Sequence, residues 1–581
     1  MAQRTTKLLQ LVPISMLGVQ PKLFRHRLRF RPVAILLVAL SLVPAAFIGD
    51  HVATATRNVA YWDELDTAVQ LVLHLDSGIG WNDFASRIFA ISNEHRMVTS
   101  RLMFAASYWL TGTINFAVIG LIGNASIIVL CVLLLYAVGT TERRVKLGLI
   151  LAMLLFQLQH YENFLWAGSS IDHFMVVMLA GAAVIGAAQG SRAALLAAAV
   201  CALLATFTLA HGIVTWAIGG AMLWHARRLA HLKIWCALAA LAIVGFLAGF
   251  HVNNAQRFAD PSLTGALVVL RYWLATLGSV PAMGNNGWAP WLGAALLAGI
   301  AWLAARGAIR KEPVAFPLAC FAIGALALIA VGRAAESNGL VHSRYYVLGA
   351  FAWGLALFML LEQFTSPRYP YAWILGCAPL LVAFNVTASR AFAQKADSWF
   401  ECRDRAALRF IENGVDGRGP FALYPSPERS TQLLNEAEKR GVYRMGSICE
   451  ERSIPDPRPS SRIAYYVEDG AVSGRSASVG GWAAIPGYTS RRGQLHVVLR
   501  SADTMHVFST VAITRPDVAA ALKHPECVLS GFRFARRRDR LPTGEFQIGF
   551  LLKNGRRSEF IMTGHRLSLI GEGKALLASA E

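Results

Sequence analysis

Residues 33–49 read VAILLVALSLVPAAFIG, seventeen positions without a charge. A helix needs about 20 mostly apolar residues to cross the hydrocarbon core of a bilayer, and this stretch approaches that length. Ahead of it stand Arg4, Lys7, Lys22, Arg25, Arg27, Arg29 and Arg31. Basic residues flanking a first span stay on the cytoplasmic side. Residues 1–32 therefore read as a cytoplasmic segment, and 33–49 as a span running outward. Ala53-Thr54-Ala55 has some likeness to a cleavage site, but the long basic lead reads as an uncleaved anchor.

Similar apolar runs follow at 114–138, 146–159, 174–188, 193–210, 212–224, 232–250, 287–305, 313–332, 345–361 and 371–385. The 581-residue chain is 55% hydrophobic and only 15% charged, against about 25% charged in an ordinary soluble protein. A net charge of +20 in a soluble protein would point to nucleic acid. Here Lys and Arg fall mainly in short loops between apolar runs, which excludes that partner class for the membrane part.

The basic turns are Thr140–Lys146, Arg192, His225–Lys233, Arg306–Lys311 and Arg368. Placing all of them inside gives about 11 spans. This leaves Leu102–Leu110, which is short, and Leu263–Leu277, which contains Arg271 and precedes Pro281-Ala-Met-Gly-Asn-Asn-Gly287, as interfacial or re-entrant helices on the outer side. If both crossed, the count would be 13, with the C-terminal side unchanged. The fold class is thus an α-helical polytopic membrane protein with a C-terminal soluble α+β or β-sandwich domain. Its parts are a transmembrane domain over 33–395 with a large outer loop at 50–110, a helical connector over 396–460 and a β-domain over 461–581. The C-terminal domain falls on the outer side, the periplasm of a Gram-negative cell, with the spans in the inner membrane.

Ionisable groups at a membrane are costly and mark function, and here they gather at the outer ends of the spans. Tyr61-Trp62-Asp63-Glu64 offers adjacent carboxylates, whose crowding and burial can raise one of them into the range of a general base. Read blandly, it is a solvated acidic turn. Asn93-Glu94-His95-Arg96, with Arg101, offers an acid, an imidazole and phosphate-binding guanidiniums; equally, Asn93 caps a helix with Glu94 in its first turn. Glu162 and Asn163 lie in His160–Trp166, where an aromatic belt accounts only for the Tyr and Trp. Arg333, His342, Arg344 and Tyr345 flank one short outer loop, as a phosphate clamp or as snorkelling arginines. There is no metal-spaced His pair, no phosphate-binding glycine loop and no nucleophile elbow.

Together these stretches resemble bacterial polytopic glycosyltransferases of the GT-C superfamily, over roughly residues 33–390. The resemblance implies transfer of a sugar from a polyprenyl-phosphate carrier to a glycan, lipid or protein acceptor on the outer face. By position, Asp63 and Glu64 match the family's catalytic acid, and Arg333 and Arg344 match where carrier phosphate is held. Glu94, His95 and Arg96 match a family stretch without an assigned role. No cofactor is implied for a monophosphate donor, whereas a diphosphate donor would bring in a divalent metal. The departures are Ala167–His173 and His211-Gly212, which bear on the acceptor side. The alternative class is a transporter or flippase for a lipid-linked glycan, which would place its polar site at midplane in repeated, broken helices.

Beyond Asp397, Ala406–Asn413 and Ser430–Arg440 read as helical. Ile463–Val467, Gln494–Arg500, His506–Ile513, Phe546–Leu552 and His565–Ile570 read as strands. Gly481-Trp482-Ala483, Arg515–Val518 and Ser530-Gly531-Phe532 resemble a small β-domain appended to bacterial glycan-related proteins. This makes Trp482 either a core residue or a glycan platform. Arg533–Arg540, with five Arg in eight residues, reads as a solvated loop or as a contact for anionic lipid or acidic glycan. In an oxidising compartment Cys402 and Cys449 form a disulfide or stay as free thiols.

Overall fold

The computed structural model describes residues 32–570, apart from 252–258, 338, 367, 447, 454–457 and 555–556, together with 576–577. The basic segment 1–31 lies outside the described residues. In chain order, the helices of ten residues or more are α1 (Pro32–Ala55), α2 (Val98–Thr111), α3 (Phe116–Ala137), α4 (Thr141–Leu155), α5 (Ala167–Gln189), α6 (Arg192–Thr208) and α7 (Val214–His225). They continue with α8 (Leu229–Leu247), α9 (Leu263–Gly278), α10 (Ala289–Ala305), α11 (Ala315–Arg333), α12 (Ser343–Phe364), α13 (Ala372–Asn413) and α14 (Pro427–Arg440). Among the described residues α1, α3, α5, α8, α11, α12 and α13 are long and apolar enough to cross a bilayer, the make-up of a multi-pass membrane protein. Of the eleven expected spans, the other four fall on α4, α6, α7 and α10, which are 15, 17, 12 and 17 residues long.

The two segments expected along the surface are also short. Helix α2 has 14 residues, leaves Trp109 and Leu110 exposed, and hydrogen-bonds α6 through Thr208 Oγ1 to Thr99 Oγ1 (2.8 Å). The start of α9 shares a cavity with Ala334, Ala335 and Gly339 just beyond α11. Near its other end, Trp353 Nε1 of α12 donates to Leu277 O (2.9 Å). The last turn of α9 therefore packs against the middle of α12. Helices α5 and α12 are the most enclosed, whereas α1 and α8 present most of their surface outward. An apolar surface of that kind is stable only against lipid or another apolar partner.

At one end of the bundle the basic turn at Thr140–Lys146 meets two carboxylates. Arg143 at the start of α4 reaches Glu312 (2.5 Å) and Glu362 (3.3 Å), and Lys146 pairs with Glu362. At the opposite end lie the first large loop and the entire C-terminal domain. The link is α13, a 42-residue helix about 63 Å long at 1.5 Å per residue, which begins as a span and ends inside the soluble domain. Its buried Arg403 donates to Ala55 O at the end of α1 (3.1 Å), to Leu165 O just before α5 (2.8 Å), and to its neighbour Asp404 (2.9 Å). One guanidinium thus holds three chain segments together.

The β-domain is two sheets. One has the order β1-β9-β8-β4-β5, with β10 also on β9, and the other β2-β3-β7-β6. The strands are β1 (Arg458–Pro459), β2 (Ala464–Val472), β3 (Ser476–Ala484), β4 (Leu495–Arg500), β5 (Met505–Ser509), β6 (Val511–Ile513), β7 (Gly531–Arg537), β8 (Glu545–Asn554), β9 (Arg557–Ser568) and β10 (Leu576–Leu577). Tyr465 and Phe532 of one sheet meet Phe550 of the other (5.5 and 5.1 Å between ring centres), and Phe508 meets Phe534 (5.3 Å), so the core lies between the sheets. Strands β3 and β7 escape the sequence reading. β3 is made of small residues, nearly all buried, and shows no in–out alternation. β7 contains the start of the arginine run, which is therefore neither a solvated loop nor a free basic surface. Arg533 pairs with Glu412 of α13 and with Asp469, Arg536 donates to Cys449 O, and Arg537 pairs with Glu438 of α14. Trp482 sits half-buried on β3 opposite the exposed Tyr466, on the face of the sheet away from Tyr465. All eight cysteines are free, including Cys402 and Cys449.

Removing one partner of a buried charge network typically costs about 3–5 kcal/mol. Arg403→Met should accordingly lower the Tm of the detergent-solubilised protein by several degrees. An unchanged Tm would show that the three-way junction adds no net stability.

Candidate functional site

The adjacent carboxylates diverge. Trp62 takes a left-handed backbone conformation (φ 49°), and its N–H donates to Leu423 O of the C-terminal connector (2.8 Å). After this reversal Glu64 points inward and is 1% exposed. Its two oxygens accept from Tyr61 N (2.9 Å) and from Gly168 N (2.6 Å). Gly168 belongs to the first turn of α5, where backbone N–H groups lack intrahelical partners and the helix dipole favours an acceptor. A Cβ at Gly168 would stand 3.2 Å from Glu64 Oε1, so the close approach favours glycine. Glu64 is thus a helix cap, held away from the cleft. Burial nevertheless pushes its carboxyl up to about 8, against the pull of those two N–H groups.

Asp63 points the other way. It is half-buried and lines a cleft of about 480 Å³. Its Oδ1 accepts from Asn93 Nδ2 (3.0 Å). Burial raises its carboxyl above the usual aspartate value. The charge of Arg344, the Asn93 hydrogen bond and the charge of Arg333 oppose the rise. The two arginines do not line the cleft, but their field reaches the carboxylate that does.

Residues 92–97 form a tight turn, in place of the capped helix start that Asn93 and Glu94 suggest in sequence. Ser92 and His95 exchange backbone hydrogen bonds (2.8 and 2.9 Å), while Asn93 and Glu94 both have positive φ (47° and 63°). This is the conformation a two-residue turn requires, and asparagine tolerates it best. The turn aims Asn93 at Asp63. His95 Nδ1 accepts from Ala210 N (3.2 Å), pinning the turn between α6 and α7. Arg96 donates to Phe89 O (2.5 Å), to Phe246 O (3.0 and 2.8 Å) and to Ala248 O. Arg101 donates to the carbonyls of Ile88 (3.2 Å), Ala90 and Arg96 (2.7 Å). Both guanidiniums fasten backbone at the end of α8 and under the cleft.

The 162–163 and 343–345 stretches meet. Glu162 Oε2 accepts from Arg344 N (3.0 Å) and Ser343 Oγ (3.1 Å), and Asn163 Nδ2 donates to Arg344 O (2.9 Å). Glu162 and Asn163 therefore hold the turn that presents Arg344, whose guanidinium lies over the Tyr345 ring (5.5 Å). The buried Tyr345 ring packs against His173 (5.7 Å) and against the exposed His342 (6.1 Å). Arg333 is paired with Glu336 (3.1 Å).

The C-terminal connector closes the cleft, which the sequence reading missed. Asp66 binds Arg429 (2.9 and 2.6 Å) and Tyr424 Oη, and Tyr424, Pro425 and Arg429 form one wall. Roughly 360 positions separate these partners, so no local pattern signals the contact. Among the described residues no group of three or more His, Cys, Asp or Glu stands at metal-ligating separation. No family model, no curated protein and no solved structure matches the chain.

A carboxyl raised on folding binds extra protons in the native state. Its contribution to stability is complete below the unfolded value and is lost as pH rises through the folded one. For Glu64 that window runs from the ordinary glutamate range to about 8. The Tm of the wild type should fall across this window, and Glu64→Gln should flatten part of the decline. Equal slopes in thermal scans at pH 5, 6.5 and 8 would contradict the assignment.

Proposed function

We propose that the chain is a membrane glycosyltransferase that moves a sugar from a polyprenyl-phosphate carrier to an acceptor hydroxyl, with Asp63 as general base. The observation that carries this reading is the environment of Asp63. This carboxylate at the cleft wall is lifted by burial, held by Asn93, and subject to the charge of two arginines outside the cleft, whereas the second cleft carboxylate, Asp66, is paired with Arg429. In the reaction the acceptor hydroxyl gives its proton to Asp63. Its oxygen then bonds to the anomeric carbon from the face opposite the carrier, inverting that centre. The carrier phosphate leaves with the bonding electron pair. Arg344 and Arg333 are suited to stabilise the charge that develops on it. The reading also takes the face bearing the loop and the C-terminal domain as the outer side of the inner membrane, with about 11 spans in all.

A transporter would keep its polar site near midplane, whereas these groups lie at one end of the bundle and under a soluble domain. A positioned base contributes about 10²- to 10⁴-fold, so Asp63→Asn should lower transfer from a polyprenyl-phosphate sugar by that factor at normal expression. The acidic limb of the wild-type pH–rate profile should fall above the usual aspartate value. Full transfer by Asp63→Asn would end the catalytic assignment.

A further inference from the structure

The cleft contains a cationic side chain that the chemistry above does not use. Asp66 is matched by Arg429 and Tyr424, Arg101 is bound to three carbonyls, and Asp63 is held by Asn93. That leaves Arg87 and His74, both half-buried in the wall. Among the described residues the Arg87 side chain makes no hydrogen bond or ion pair, and its Nε is buried without an acceptor. His74 Nε2 is likewise buried without a partner, and the charges of Arg87 and Arg440 bear on it.

Arg87 lies in the last turn of the short helix Trp81–Ile88, where a cation is favoured by the helix dipole. The dipole accounts for a charge at that position. It does not supply an acceptor for a desolvated guanidinium N–H, and a buried donor without a partner is costly. An anion entering the cleft would supply one, and guanidinium is the side chain that best matches carboxylate and phosphate.

We propose that Arg87, assisted by His74, forms a subsite for an anionic substituent, carboxylate or phosphate, on the sugar that occupies the cleft as acceptor. The acceptor of this transferase is then an acidic glycan, held by its charge at Arg87 while one of its hydroxyls faces Asp63. The assignment of the bound sugar as acceptor rests on Asp63 being the base. The existence of an anion subsite does not.

The test is calorimetric titration of the full chain in nanodiscs with three probes: a hexuronic-acid disaccharide, a hexose 6-phosphate and a neutral disaccharide. At least one acidic probe should bind tenfold or more tightly than the neutral one, and which of the two it is separates carboxylate from phosphate. Arg87→Gln should abolish the preference, Arg87→Lys should keep part of it, and Asp63→Asn should leave it intact. Three results would overturn the proposal: equal or unmeasurable binding of acidic and neutral probes, an unchanged preference in a well-folded Arg87→Gln protein, or displacement of the acidic probe by polyprenyl phosphate in the nanodisc, which would give Arg87 to the donor. If the preference follows Arg87 but no variant or wild type transfers sugar, the subsite stands and the transferase reading fails.

Discussion

A guanidinium taken out of water must find acceptors or be expelled, and the way Arg403 meets that demand organises the molecule. Its donors fall on the last carbonyl of α1, on the carbonyl that ends the turn before α5, and on Asp404. The point where the first large loop leaves the membrane is thereby fixed relative to the helix that carries the soluble domain. Glu64 enters the same junction nine residues after Ala55, through the N–H of Gly168. Once Glu64 is committed there, the next residue back is turned outward by the left-handed Trp62. The direction of Asp63 is a consequence of packing some distance away.

The membrane character was legible in the sequence because hydropathy and loop charge act locally. Each apolar run maps onto one helix, and the 102–110 and 263–277 segments fall on short helices of 14 and 16 residues. The β-domain was only half legible. Strands β4, β5 and β8 are marked in the sequence by their Val, Leu, Ile and Phe residues between turn residues. β3 is small-residued and buried almost throughout, and β7 contains an arginine run whose partners, Glu412, Glu438 and Asp469, come from other elements. At the site, sequence marked the 63–64, 93–96, 162–163 and 333–345 stretches but not the division of labour within them. Adjacent residues at a reversal can face opposite ways, and only the tertiary acceptors decide which. The cleft wall from Tyr424 to Arg429 was illegible because nothing local couples residue 66 to residue 429.

The arginines show a related point. A net charge of +20 suggests a strongly basic exterior, yet Arg96, Arg101, Arg403, Arg533, Arg536 and Arg537 are spent on backbone carbonyls or on carboxylates of neighbouring elements. A planar fork with five donors can satisfy several acceptors at once, which suits it to seams where helix ends and loops leave carbonyls without partners. The formal charge of such a chain therefore overstates the potential it presents to a ligand.

The unbroken course of α13 through the interface has a mechanical meaning. Rotation and height along a helix are geared together, at 3.6 residues and 5.4 Å per turn. The wall at Tyr424–Arg429 is therefore set against Asp66 as a thread sets a bolt. One residue inserted into the exposed part of α13 would swing the β-domain by about 100° and lift it by about 1.5 Å, unseating Arg429 from Asp66 and Arg403 from Ala55 together. Length variation is tolerable there only in near-whole turns, so the helix works as an indexed spacer between the bilayer and the soluble domain.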